Sequence, residues 1–288
     1  MKYKFMRDNN NIFHLNRMSE VLRVSRSGYY AWLKRPLSNR ERHNAYLSDR
    51  IRSIYEQRKQ VYGCLRITAE LRDKGFSCSK NRVARLMRKQ GITARTKKRF
   101  KVTTNSKHHL PIAPNLVEMQ FNPEKINSIW TTDITYIATK EGWLYLSVIL
   151  DLKSRAVISW DADRSIDENL VIRTLEKALR DRSPSSELIL HSDRGSQYAS
   201  HRLRQMLKEN NIQQSMSSKG NCYDNAPVES FFSTLKRELV YRDNYKTREE
   251  AKQSLFEYIE LFYNRQRRHS TLGYLSPLQF ENLKKTPN

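Results

Sequence analysis

Hydrophobic spacing changes its period once along this chain, and the change limits what each part can fold into. Before residues 95–110, apolar residues recur at helical intervals. Met18, Val21 and Leu22 lead through Ser25, Ser27 and Gly28 into Tyr29, Tyr30 and Trp32, which predicts two short helices around a turn within residues 17–33. A further helix is expected over 44–57, and another over 67–74 that stops at Gly75, a C-cap residue. Ser77 or Ser79 then caps residues 80–90, where Val83, Leu86 and Met87 form a buried stripe. From residue 127 the pattern turns to strands: 127–138 and 143–151 are rich in Trp, Tyr, Ile, Val and Thr around a short polar link, and 155–161 continues them. A helix at 167–181, a strand at 187–191, a helix at 197–209, a strand near 212–217 and a helix at 226–240 follow. Three strands in a meander, then strands alternating with helices, imply a mixed α/β sheet with flanking helices behind an all-α region.

Charge divides at the same place. Residues 1–110 hold 28 Lys/Arg and 7 Asp/Glu, a net +21, whereas 111–288 hold 25 and 23, a net +2. An excess confined to one contiguous, periodically patterned segment is the footprint of a phosphate-binding module. Lys80, Arg82, Arg85, Arg88 and Lys89 lie mostly off the buried stripe, as on the second helix of a helix-turn-helix entering a major groove, with a merely solvated face as the alternative. The organisation expected is a basic helical DNA-binding region over 1–100, a linker over 101–120 containing His108 and His109, and a second domain over 121–288 with a C-terminal helical extension.

The longest mostly apolar stretch, 142–151, is about half of what a membrane helix needs. Cys64, Cys78 and Cys222 are odd in number and form no CxxC pair, which argues against a disulfide framework or a zinc ribbon. A cytoplasmic protein is expected.

Three carboxylates stand where acids need a reason. Asp133 interrupts a β-forming run, and burying an unpaired carboxylate is costly. Asp193 follows the apolar strand ELILH and opens a turn, the end of a strand at which sheet proteins place functional groups. Glu229 lies early in the helix over 226–240, with Asp224 or Asn225 as cap and Pro227 in its first turn. Lys236, two turns on, projects to the same side. Each acid also has a structural reading, as a satisfied buried acid, a turn former or a helix-dipole charge. Together they could hold a pair of Mg2+ ions about 3.5 to 4 Å apart and support in-line displacement at a phosphodiester, since all-oxygen ligands suit Mg2+ or Mn2+.

TTDITYI at 131–137, DLKSR at 151–155, HSDRGSQY at 191–198, SKGNCYDNAPVESFFSTLKRE at 218–238 and YNRQRRHSTLGYLSP at 263–277 together resemble the insertion-sequence transposases of the IS-three family, in particular the product of the second reading frame. VSRSGYYAWLKR at 24–35 and YGCLRI at 62–67 extend the resemblance across essentially the whole chain, and 35 residues separate Asp193 from Glu229, the spacing of that family's DDE signature. The resemblance implies a ribonuclease-H-like, integrase-type core with a five-stranded mixed sheet. It also implies Asp133, Asp193 and Glu229 as the catalytic, metal-binding triad, two Mg2+ replaceable by Mn2+, and Lys236 as a contact to terminal DNA. The implied reaction is metal-dependent cleavage of element ends, then strand transfer by direct transesterification of a 3′ hydroxyl. Double-stranded DNA is the implied partner, a homo-oligomer on DNA the implied assembly, and the bacterial cytoplasm, at the nucleoid, the implied location. A chain of this kind is expected to cooperate with an upstream-frame segment, because no leucine heptads stand at its start.

A hydrolytic nuclease of the same fold and a noncatalytic DNA-binding regulator remain open as alternatives. Asp151, Asp161 and Asp163 are rival carboxylates, Asp151 being expected to end a strand or pair with Arg155. His191 either orients Asp193 or packs. Arg265, Arg267 and Arg268 are expected to touch phosphate or cap the last helix, with Arg265 and Arg268 counted among the DNA contacts.

Overall fold

The computed structural model of the protein describes residues 1–94, 111–182, 184, 187–218 and 224–285. The cationic segment 95–110, with His108 and His109, lies outside those residues, as does Cys222.

Three helices open the chain, α1 (Lys2–Asp8), α2 (Leu15–Leu22) and α3 (Arg26–Lys34). They close over a small core of their own, Met6, Met18 and Tyr29, against which Tyr3 and Trp32 pack. Ser25 caps α3, its Oγ accepting from the Gly28 N–H at 3.0 Å. The second group comprises α4 (Asn39–Gln57), α5 (Cys64–Asp73) and α6 (Lys80–Lys89). α4 begins five residues before the expected start because Ser38 and Glu41 form a capping box that periodicity alone does not reveal. Ser79, one of the two expected candidates, caps α6.

The sheet contains β1 (Ile129–Thr139), β2 (Gly142–Asp151), β3 (Val157–Asp163), β4 (Ile189–Ser192) and β5 (Gln213–Met216) in the order β3-β2-β1-β4-β5. The first three run antiparallel, and β4 and β5 add in parallel to β1. One face is covered by α7 (Glu168–Arg182) and α8 (His201–Glu209), whose Leu175 and Leu203 bury with Trp130 and Leu190. The other carries α9 (Ala226–Glu238) and α10 (Arg248–Phe256), which continues as a π-helical stretch, Glu257–Tyr263, before α11 (Pro277–Lys285). Val228, Phe231, Phe232 and Leu235 anchor α9 on the sheet, at about 1.5–3 kcal/mol for each side chain fully buried.

The core on the α9 side is continuous with that of α4–α6: Ile51, Tyr62, Leu71 and Val83 belong to the same cluster as Ile137, Phe231 and Phe262. The basic helices are therefore docked on the sheet domain, not merely tethered to it. Nor do residues 111–122 behave as free linker, because Pro114 O accepts from Met216 N at 3.2 Å and the Leu116 N–H donates to Ser215 Oγ at 2.9 Å.

Candidate active site

Asp133 and Asp193 meet through strand register. β1 and β4 pair in parallel with Thr131 opposite His191 and Thr132 opposite Ser192, so the next step along both strands brings the two acids side by side at the carboxyl end of β4. Both residues are half-buried. Each carboxylate is oriented locally, Asp133 Oδ1 accepting from the Ile134 N–H at 2.7 Å and Asp193 Oδ1 from the Gly195 N–H at 2.9 Å. A Cβ at Gly195 would stand 3.1 Å from Asp193 Oδ1 and 2.8 Å from Gln197 Oε1, so a larger residue there would require these side chains to shift.

Glu229 occupies the first turn of α9 and is exposed. The helix start is fixed to the same strand, because the Thr131 hydroxyl donates to Asn225 Oδ1 while Asn225 Nδ2 donates to Thr132 O at 3.3 Å. Asn225, one of the two expected helix caps, stands at that position but makes no side-chain cap bond, because its amide is spent on the two residues preceding Asp133.

Electrostatics ties the three acids together. Burial, followed by the neighbouring Asp193 charge, raises the Asp133 carboxyl well above the usual range, and Glu229 adds to the effect. Burial and then Asp193 raise Glu229 as well. Lys236 sits half-buried with its Nζ 4.6 Å from the centroid of the Tyr136 ring. Burial lowers the ammonium and Asp133 opposes that shift, so one cation faces an excess of negative charge.

That excess is the observation by which a metal can be judged. Oxygen donors that repel one another in a partly desolvated cleft fit a hard divalent cation such as Mg2+. The three side chains do not converge into a closed cage: among the described residues, no three His, Cys, Asp or Glu side chains gather closely enough to enclose an ion.

The rival acids are otherwise employed. Asp151 does end β2, but its carboxylate accepts from the Asn127 N–H at 2.7 Å and the Ser154 N–H at 2.6 Å, while the Arg155 guanidinium donates to Phe121 O at 2.9 Å. The expected Asp151–Arg155 pairing is therefore replaced by backbone capping of a tight turn. Asp161 and Asp163 both bind Arg173 at 2.7 Å. His191 is buried and packs against two serines, its Nδ1 2.8 Å from Ser215 Oγ and its Nε2 3.3 Å from Ser217 Oγ.

Two contributors are not evident from the sequence. Tyr198 is buried with its hydroxyl 3.4 Å from Thr132 Oγ1, and burial together with Asp133 and Asp193 pushes its ionisation well above the usual range. Asn225 is the other. The threonines of TTD and the tyrosine closing HSDRGSQY are visible in the motifs, but only the register reveals that they meet.

The basic residues divide into free and committed groups. Lys80, Arg85, Arg88 and Lys89 are exposed on α6. Arg82 is half-buried, its Nε and Nη2 donating to Asn44 Oδ1 on α4 at 2.9 and 2.8 Å. Arg265 is exposed. Arg268, expected to contact DNA, is instead buried and bonded to Glu70 at 2.7 Å and Asp73 at 2.6 Å, which corrects that expectation because no free donor face is left for phosphate. The neighbouring Arg267 is likewise held by Glu238, at 2.7 Å. No helix among the described residues is long and apolar enough to cross a membrane.

Comparison with known proteins agrees with this architecture. The Integrase core domain family matches residues 123–222, a second Integrase core domain family matches 229–284, and an HTH-like domain family matches 41–100. Transposase InsF for insertion sequence IS3A of Escherichia coli (strain K12) is 42% identical over 284 residues, covering 98% of this chain and 99% of that protein. An insertion element IS600 protein of 31 kDa from Shigella sonnei is 42% identical over 263 residues, covering 91% and 97%. Among solved structures, a simian T-cell lymphotropic virus intasome in complex with PP2A regulatory subunit B56 gamma overlaps 79% of this chain and 73% of its own, with a TM-score of 0.49 and 18% identity. A basic helix-turn-helix-like region, a ribonuclease-H-like sheet and near-full-length identity to InsF thus converge: the chain belongs to the IS3-family insertion-sequence transposases, polynucleotidyl transferases with an integrase core.

Proposed function

We propose that Asp133, Asp193 and Glu229 are the catalytic carboxylates of this transposase and that Lys236 contacts the DNA end being cut. The observation that carries the proposal is the β1/β4 register, which sets Asp133 beside Asp193 while Asn225 fixes the Glu229 helix to the same strand. Mg2+, as two ions or with Mn2+ in its place, would be held by these carboxylates and would polarise the phosphodiester while activating water or a 3′ hydroxyl for in-line attack. The chain's own part is positional. Asp133 and Asp193 present oxygens fixed by neighbouring backbone N–H groups, and α9 brings Glu229 and Lys236 to one side of the cleft. Lys236, steadied over Tyr136, supplies a cation for a terminal phosphate.

On this reading the substrate is the double-stranded DNA of the element ends and target, engaged through Lys80, Arg85, Arg88 and Lys89 of α6, with Arg265 as a further contact. Arg82 braces that helix against Asn44 of α4. The active assembly is a homo-oligomer on DNA, with or without an upstream-frame segment, in the bacterial cytoplasm at the nucleoid.

The test is to incubate wild type and Glu229→Gln with duplexes carrying the inverted repeats that flank the gene, in Mg2+ or Mn2+. Strand-joined DNA from wild type alone is the expected result. Joining by Glu229→Gln at the wild-type rate would remove Glu229 from the site, and nicks without joining from wild type would favour a nuclease.

A further inference from the structure

On the face of α9 turned away from Glu229 lies a cavity of about 330 Å3 that the carboxylate site does not use. One wall is α9 itself, from Ala226 to Thr234, with Ser230 and Thr234 among the lining residues. The α9 residues lining it centre on Thr234, so the cavity opens about 140° around the helix from Glu229. The opposite walls bring Arg155 from the β2–β3 turn, Arg66 from α5, and Arg267 with His269 from the segment after the π-helical stretch.

Three guanidinium groups line this cavity against one carboxylate, Glu238, so its positive charge is only partly neutralised. Arg267 is bound by Glu238. Arg66 pairs with the same carboxylate at 3.6 Å and its Nε donates to Arg268 O at 2.9 Å, which leaves its other guanidinium N–H groups for a ligand. Arg155 forms no salt bridge among the described residues, although Asp151 is near enough to act on its charge; its Nη2 donates to the carbonyl of Phe121 at 2.9 Å. Burial, and then Arg267, Arg66 and Arg155 in turn, hold His269 well below the ordinary imidazole range, so three guanidinium groups act on one point. Arg155 also holds a left-handed backbone, φ +60°, which a glycine would adopt at lower cost. A partly buried cation on a strained turn is costly unless an anion meets it.

We propose that this cavity binds a backbone phosphate of the DNA strand engaged by α9, with Arg155 and Arg66 as its charged ligands and Ser230 and Thr234 as neutral donors. A single phosphodiester fits the volume, and planar guanidinium forks with hydroxyl donors are the groups that recognise one. The site would lock the register of the strand relative to Glu229, on the other face of the same helix. It rests on the reading that α9 meets DNA, but it is tested by binding, independently of turnover.

The probe is the terminal-repeat duplex with a single neutral methylphosphonate walked along each strand, and affinity is measured in EDTA with the full chain. Arg155→Gly relieves the φ strain while removing the charge, so it should keep or raise the thermal midpoint. For wild type, neutralising one or two adjacent phosphates should cost about tenfold in affinity; Arg155→Gly should be nearly indifferent at those positions and parallel elsewhere. Arg66→Gln should single out the same phosphates from the other wall. Parallel responses of wild type and both variants at every position would overturn the proposal. So would protection of wild type by inorganic phosphate with no position-specific loss on DNA, because the cavity would then serve a free anion. Loss of strand joining in Glu229→Gln bears on the carboxylates alone and leaves this result separate.

Discussion

Arg268 Nε donates to Glu70 Oε2 at 2.7 Å, joining residues 198 apart in sequence and fastening α5 to the segment after the π-helical stretch. The same guanidinium reaches Asp73 and Tyr274 O, while Arg58 takes the other oxygen of Glu70. Removing Arg268 leaves Glu70 to Arg58 and takes away charge-assisted hydrogen bonds, at about 1.5–3 kcal/mol. Arg268→Ala should therefore lower the unfolding free energy in a urea titration by that much, and replacing Arg268 and Glu70 together by apolar residues of similar size should cost far less. A loss below about 1 kcal/mol in the single variant would show the junction to be loose.

The same junction predicts an acid limb. Burial opposes ionisation of Glu70, but hydrogen bonds from Arg268 and Arg58 outweigh it and hold the carboxyl below 4.5; Glu238 is held low through Arg267. A carboxyl lowered on folding contributes stability that is present above the unfolded value and lost as pH falls through the folded one. Urea midpoints of wild type should therefore drop as pH is taken below about 4.5, and the drop should be shallower in Glu70→Gln. Superimposable profiles would rule the junction out as a source of acid lability.

Legibility from sequence follows the range of the interaction. The strands and α6 through α9 are readable because each carries its own period or cap, as Ser79 does for α6. α1 is not, since Met6 is its only buried residue and seven residues give no periodicity. The three proposed acids stand out in the sequence only as a set, since each alone also has a local structural reading. Their electrostatic coupling, and the Asn225 and Tyr198 contacts beside them, depend on a register between strands about 60 residues apart that no local signal encodes. Arg268 misleads for the converse reason: its basic neighbours suggest a phosphate contact, and its partner Glu70 lies far upstream.

Asp133 and Asp193 predict a response to metal. Two carboxylates forced together in a partly buried cleft oppose folding until a cation joins them. Without divalent metal, Asp133→Asn should raise the thermal midpoint by a few degrees relative to wild type, with strand joining abolished. Millimolar Mg2+ should stabilise wild type and leave the variant unmoved. Equal Mg2+ shifts in both proteins would place the cation elsewhere.

The exposed residues of α6 differ from Arg82 in what their loss should do. Arg85 and Arg88 are free to meet phosphate, whereas Arg82 is tied to Asn44. Neutralising Arg85 and Arg88 should lower the slope of log affinity against log salt by about one for each phosphate no longer neutralised, without changing stability. Arg82→Gln should instead lower stability. An unchanged salt slope in the Arg85/Arg88 variant would count against α6 as the DNA-facing helix.

Lys236 combines a position above Tyr136 with an ammonium whose proton is disfavoured by burial and favoured by Asp133. If its task is to hold a terminal phosphate, Lys236→Met should weaken binding of the cleaved end and slow joining by about tenfold or more, because it removes a charge-assisted hydrogen bond of about 1.5–3 kcal/mol. Lys236→Arg should restore much of it, since the charge can still stack on the ring. Tyr136→Leu should produce a milder loss of the same kind, as it removes the stacking that steadies the ammonium. Should Lys236→Met join strands at the wild-type rate while unfolding more readily, the residue acts only by relieving the charge of Asp133, and the phosphate contact belongs to another cation.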